Sequence, residues 1–142
     1  MARTRSLLRA GTLQFRAIAG RAPSPSEIAA HLNDELCKNN PHMKFVTLLL
    51  GFYDVARGTL TYCNAGHVYP VVAGPAGAFE VTNMPDPALG VMEDMTYTDL
   101  ELTLGLGEML VLASDGVADI LDPEMNAFGT ERLLAKAAEL VA

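Results

Sequence analysis

Asp115 and Gly116 follow the apolar run Glu-Met-Leu-Val-Leu-Ala-Ser of residues 108–114. A carboxylate at the end of a buried strand requires a cation, a set of donors or water, because desolvating it unpaired is costly. A glycine directly after it permits sharp turning and close backbone approach, so the pair can set a hard-cation ligand at a sheet edge. The same dipeptide also makes ordinary turns. A second constellation is Asn64-Ala65-Gly66-His67. Its Asn and Gly support a tight turn, and His67 either donates to a phosphate or packs under the turn against a backbone carbonyl. His31 and His42 lack partner spacing and read as surface residues. Thr47 has no neighbouring His or Lys and reads as a β-branched strand residue rather than a nucleophile. Glu93, Asp94 and Asp99 read as a solvated turn and strand face. Asp115-Gly116 is not part of a kinase site, since no Gly-rich loop or His-Arg-Asp stretch accompanies it.

The 142 residues, 50% hydrophobic and 19% charged, suffice for one globular domain with a real core. A net charge of −7 argues against a nucleic-acid face or a polybasic membrane anchor and makes a cation the natural ligand. Cys37 and Cys63 have no CxxC or Cys/His spacing, so both are expected to be reduced, in an intracellular, cytoplasmic protein. No apolar stretch approaches the roughly 20 residues of a membrane span.

The elements that must position these residues are legible from periodicity. Leu8, Phe15 and Ile18, with Leu7 at the margin, predict an amphipathic first helix. Ser24 with Glu27 is a capping-box pattern with Pro25 at the first helical position, and Ile28, Leu32 and Leu36 mark the buried face of a helix ending near residue 40. From Lys44 the period becomes that of strands: 44–54, 60–67, 68–74 and 79–82, read as an antiparallel meander. Residues 97–104 alternate cleanly, 105–108 turn the chain, and 109–114 are continuously apolar, as in a strand covered on both faces. A last helix, capped by Thr130, runs through residues 131–141. The first helix begins almost at Met1 and the last stops at the final residue without a C-terminal signal, so the chain is expected to be an internal piece of a larger domain, or a degenerate relative of one.

The order Phe-Val-Thr (45–47), Asn-Ala-Gly-His (64–67), Ala-Leu-Gly (88–90), Leu-Gly-Glu (106–108), Ser-Asp-Gly-Val (114–117) and Phe-Gly (128–129) closely resembles the SpoIIE/RsbU-type branch of the metal-dependent type 2C (PPM) protein serine/threonine phosphatases. The likeness spans roughly Ser24 to Leu134. Ala88 and Leu106 replace the usual Pro residues, Glu108 the usual Asp, Ser114 the usual Thr and Asp119 the usual Glu. The resemblance implies an α+β fold, a layered sandwich of antiparallel sheet flanked by helices, incomplete here, with residues 1–142 forming one partial domain.

By the same resemblance Asp115 is a ligand of a Mn²⁺ or Mg²⁺ pair, with Gly116, Asp119, His67 and Asn64 near the site. Two metals activate water and polarise the phosphoryl group, so no protein nucleophile is needed. The implied reaction is dephosphorylation of a phosphoserine on an anti-sigma-factor-antagonist type protein in bacterial signalling, with a sensory or receiver domain upstream. The family's other metal carboxylates come from a Gly-Gly-Asp stretch, an Asp-x-x-Gly-His-Gly stretch and a late Asp-Asp pair, none of which occurs here. The isolated chain is therefore expected to be inactive, and unpaired sheet edges predict a homodimer or other self-association. The alternative is a catalytically silent phosphatase-like interaction module.

Overall fold

The computed structural model describes residues 20–38 and 40–141, and the first predicted helix lies outside them. The chain divides into two compact units. One contains the described residues up to His67 together with Pro85–Leu102, the other Val68–Met84 together with the residues from Thr103 onward.

In the first unit, helix α1 (Pro25–Cys37) starts as its sequence dictates. Ser24 Oγ accepts the Glu27 amide, the Ser24 amide donates back to Glu27 Oε2 at 2.8 Å, and Pro25 occupies the first turn, where no amide proton is needed. Its apolar face of Ile28, Ala29 and Leu32 is buried against Cys63, Ala65 and Leu89, with Leu36, Leu48, Leu50 and Tyr97 around them. Burying one such leucine contributes about 1.5–3 kcal/mol. Strands β1 (Leu48–Asp54) and β2 (Thr59–Ala65) pair antiparallel with Leu48 opposite Ala65. Asp54 ties the connecting turn by accepting the amides of Ala56 and Arg57 at 2.9 and 3.1 Å. Strand β5 (Leu100–Thr103) completes the sheet in the order β1-β2-β5, and its burial alternates as its sequence predicts.

In the second unit, β3 (Val71–Gly74), β4 (Gly77–Glu80) and β6 (Met109–Val111) form a sheet in the order β4-β3-β6, with β3 antiparallel to both neighbours. Helix α2 (Asp115–Ala118) is a single turn, and helix α3 (Gly129–Glu139) buries Ala137 with Val71 and Ala73, flanked by Leu133, Leu134, Met109 and Val111.

The fold is α+β as expected, but three local readings are corrected. The meander does not run through: β2 pairs with β5, and β3 belongs to the other sheet. Gly66, at φ 68°, turns the chain out of β2, and Pro70 has no amide to give a ladder. The apolar run 109–114 is a three-residue strand of half-buried side chains, with Leu112 exposed beyond it, rather than a strand covered on both faces. Thr130 does not cap α3. That helix begins one residue earlier at Gly129, whose φ of 76° suits glycine, with Phe128 as a cap lacking a side-chain bond.

Candidate functional site

Asp115 opens α2 four residues after β6 ends. It is exposed, so the buried, charge-starved carboxylate that the apolar run suggested does not exist. Its Oδ1 accepts the Gly116 amide at 2.8 Å, and its carbonyl accepts the Asp119 amide at 2.9 Å, closing the turn. Gly116 is not demanded by space: an added Cβ would meet only Ser114 Oγ, at 3.5 Å. A 50 Å³ cavity, lined among others by Glu80, Ser114, Ala118 and Thr130, adjoins the turn. Asp119 is exposed. Asp122 is committed to the next loop, where its carboxylate accepts the Asn126 amide at 2.8 Å. Those bonds, backbone first and side chain second, hold its carboxyl below the usual carboxylate range.

In the first unit, Asn64 is 1% exposed. Its Oδ1 accepts the His67 amide at 2.8 Å and its carbonyl accepts the Asp86 amide at 3.0 Å, while Nδ2 is buried without a partner among the described residues. Gly66 is required here, because its φ is 68° and a Cβ would press on Ala88 N at 3.0 Å and Ala88 Cα at 3.1 Å. His67 is half-buried, with Nδ1 3.5 Å from Thr47 Oγ1, at the outer limit of a hydrogen bond and too long for a nucleophile–base pair.

Asn64, His67 and Thr47 thus come together in one unit, and Asp115, Gly116 and Asp119 in the other. Among the described residues no three His, Cys, Asp or Glu side chains gather to hold a metal ion. Residues 1–19, Asn39 and Ala142 contribute none of these residue types. The donor set therefore does not fit a two-metal centre by itself: Mg²⁺ asks for about six oxygen ligands, and Asp115 offers one carboxylate.

Residues to which sequence reasoning gave no role in the site hold the frame around it. Asp99 accepts the Ser26 amide and hydroxyl at 2.8 and 2.9 Å, tying β5 to the first turn of α1. Asp86 accepts the Thr98 amide at 2.7 Å. Glu108 Oε2 accepts the Gly105 amide at 2.7 Å, so the longer acid still closes its turn. Burial first, and then Asp86 and Asp99, push the Cys63 thiol up to about 12, which makes it an inert core residue.

A family model described as Stage II sporulation protein E (SpoIIE) matches residues 6–141. Protein IcfG of Synechocystis sp. is 35% identical over 103 residues, covering 72% of this chain and 16% of that protein. Phosphoserine phosphatase RsbU of Bacillus subtilis is 26% identical over 125 residues, covering 82% of this chain and 37% of RsbU. The chain thus spans well under half of either relative. Among solved structures, the RsbU and RsbW domains of a Mycobacterium tuberculosis protein superpose with a TM-score of 0.73 at 23% identity, over 99% of this chain and 39% of that one. RsbX in complex with magnesium gives 0.57 at 15% identity, over 99% and 64%. These likenesses bear out the type 2C phosphatase-like fold.

Proposed function

Because the chain belongs to the SpoIIE family, in the SpoIIE/RsbU branch of the PPM phosphatases, we propose that it is part of a protein serine/threonine phosphatase domain. We take residues 1–142 as one partial domain, since the family match runs through both compact units. The phosphoserine phosphatase relative supports a phosphoserine as the group removed, and the motif resemblance extends the reading to a protein of the anti-sigma-factor-antagonist type in a cytoplasmic bacterial signalling system, with a sensory or receiver domain in the parent protein.

The observation that carries this reading is Asp115. It stands at the family's Asp-Gly position, exposed, on a turn closed by its own backbone, with one carboxylate oxygen engaged by Gly116 and the other free among the described residues. In the parent protein Asp115 would be one ligand of a Mn²⁺ or Mg²⁺ site. RsbX was crystallised with magnesium, which supports a divalent ion of this kind. The test is phosphate release from a phosphoserine protein by the parent protein and its Asp115→Asn variant. Collapse of turnover with a raised metal requirement supports the reading, and unchanged activity at limiting Mn²⁺ removes Asp115 from the metal site.

A second reading, a silent phosphatase-like interaction module, is favoured by the absence of any clustered metal-ligating triad among the described residues. Among the described residues both readings leave β1 and β5 at the edges of one sheet and β4 and β6 at the edges of the other. Such edges favour self-association, for instance a homodimer. Sedimentation that finds a compact monomer across the micromolar range would count against it.

A further inference from the structure

The loop 40–46 and the turn 90–94 of the first unit form a groove for which phosphoryl chemistry has no use. Val46 and Leu89 exchange backbone hydrogen bonds at 2.9 Å in both directions. Asn40 Nδ2 donates to the carbonyls of Lys44 and Gly90 at 2.7 and 3.2 Å, and Asn40 Oδ1 accepts the Lys44 amide at 2.9 Å. From α1 the fully buried Asn33 accepts the Gly90 amide at 2.9 Å and donates to the Met92 carbonyl at 2.8 Å. The two segments are fixed side by side, yet they hold out four large apolar side chains: Met43 is 79% exposed, Phe45 65%, Val91 53% and Met92 58%. A stable fold gains nothing from presenting such a patch, which is the pattern of a contact surface.

Met43, Val91 and Met92 border an open 160 Å³ depression with Cys37, Asn40, Gly90 and Glu93, its wall more polar than apolar. Glu93 is shared with an adjoining 260 Å³ recess lined by Asp34, Lys38 and Asp94. Backbone strain falls in the same place. Met43 at φ 46° and Asp94 at φ 55° are non-glycine residues in the left-handed region, a strained conformation that tends to cluster at functional surfaces.

We propose that this groove docks a cationic amphipathic segment of a partner protein, whose apolar side chains pack on the exposed Met43, Phe45, Val91 and Met92 while its Lys or Arg side chains meet Asp34, Glu93 and Asp94. The exposed apolar side chains supply the contact, and the charge selects the occupant. Lys38, the cation lining the acidic recess, is engaged by Glu35 at 2.6 Å, and Lys44 lines neither recess. Three carboxylates therefore face the opening. A net charge of −7 repels nucleic acid and anionic lipid. Flexible, polarisable methionines adapt to an incoming side chain without a preformed match.

The test is fluorescence anisotropy of the full chain with a labelled Lys/Leu amphipathic helical peptide, beside a scrambled peptide of the same composition. Binding that weakens about tenfold or more in Met43→Ser/Met92→Ser, and likewise in Glu93→Lys/Asp94→Lys, is the expected result. Glu101→Lys/Glu131→Lys, at exposed positions on β5 and α3, should leave it unchanged, and circular dichroism checks that each variant folds. Equal loss in that control pair, or equal binding of the scrambled peptide, reduces the effect to net charge and overturns the proposal. Self-association of the chain that disappears in Met43→Ser/Met92→Ser assigns the groove to a second copy and overturns it as well.

Discussion

Gly74 lies where Glu108 needs room: a Cβ built on Gly74 would stand 2.9 Å from Glu108 Cγ. Glu108 is held in that position by the Gly105 amide on its Oε2. A side chain with a γ-carbon at 108 thus goes with a strand residue that has no side chain. Gly74→Ala should destabilise the chain by about 1–3 kcal/mol through overpacking or loss of the turn bond. Glu108→Ala, which removes the γ-carbon, should recover part of that loss in the same molecule, giving a favourable coupling of about 0.5 kcal/mol or more in a double-mutant cycle of denaturant midpoints. Strict additivity would mean that the two residues do not share this space.

Glu27 gives the fold an acid-sensitive start. A side-chain bond from Arg21 and then the Ser24 amide hold its carboxyl down to about 2, from an ordinary value of 4.5. Because the folded-state value is depressed, the stabilisation is complete above the unfolded value and is lost as pH falls from about 4.5 through about 2. Glu27→Gln keeps an acceptor for the capping box but loses the charge pair with Arg21. Thermal melts over that window should flatten in the variant, and an unchanged pH slope would mean that other carboxylates dominate.

What the sequence made legible was local. The Ser24–Glu27 box, the Ile28, Leu32 and Leu36 stripe and the β1/β2 hairpin are set by residues within a few positions of each other, and each stands where its pattern puts it. Sheet membership was not legible, because β2 takes β5 as its neighbour from some forty residues downstream and only the three-dimensional fold decides that. The exposure of Asp115 was hidden for a related reason: an apolar run implies a covered strand only if partners exist on both faces, and β6 stops after Val111. Asp115, Asn64 and His67 were found through motif order, whereas Asn33, Asp86 and Asp99 carry no motif. Their hydrogen bonds reach 12 to 73 residues along the chain.

Asn33 is the most consequential of these. It is fully buried and meets both a donor, the Gly90 amide, and an acceptor, the Met92 carbonyl. Asn33→Ala leaves both backbone groups without their side-chain partner and should cost about 1–3 kcal/mol. Amide exchange at Gly90 should accelerate well beyond the global change in stability. Protection of Gly90 equal to that of the parent chain would show that the turn does not depend on Asn33.

Asp115 and Asp119 lie at the two ends of one turn, Asp122 is held by Asn126, and among the described residues no three acids, histidines or cysteines gather to hold a metal ion. His67 stands beside Thr47, with Nδ1 3.5 Å from its hydroxyl. A single exposed carboxylate keeps little hold on Mn²⁺ against water, so the 142-residue chain should bind it no better than about millimolar. Without a second ligand cluster a two-metal centre cannot assemble, and neither a phosphoserine protein nor p-nitrophenyl phosphate should be hydrolysed in a metal-dependent way. Calorimetric titration with Mn²⁺ beside a phosphate-release assay, each repeated on Asp115→Ala, measures both halves. Micromolar binding or turnover that vanishes in Asp115→Ala would mean that the chain completes a metal site from residues assigned here to the frame, with Asp119, Asp122 and His67 the first to be substituted in turn.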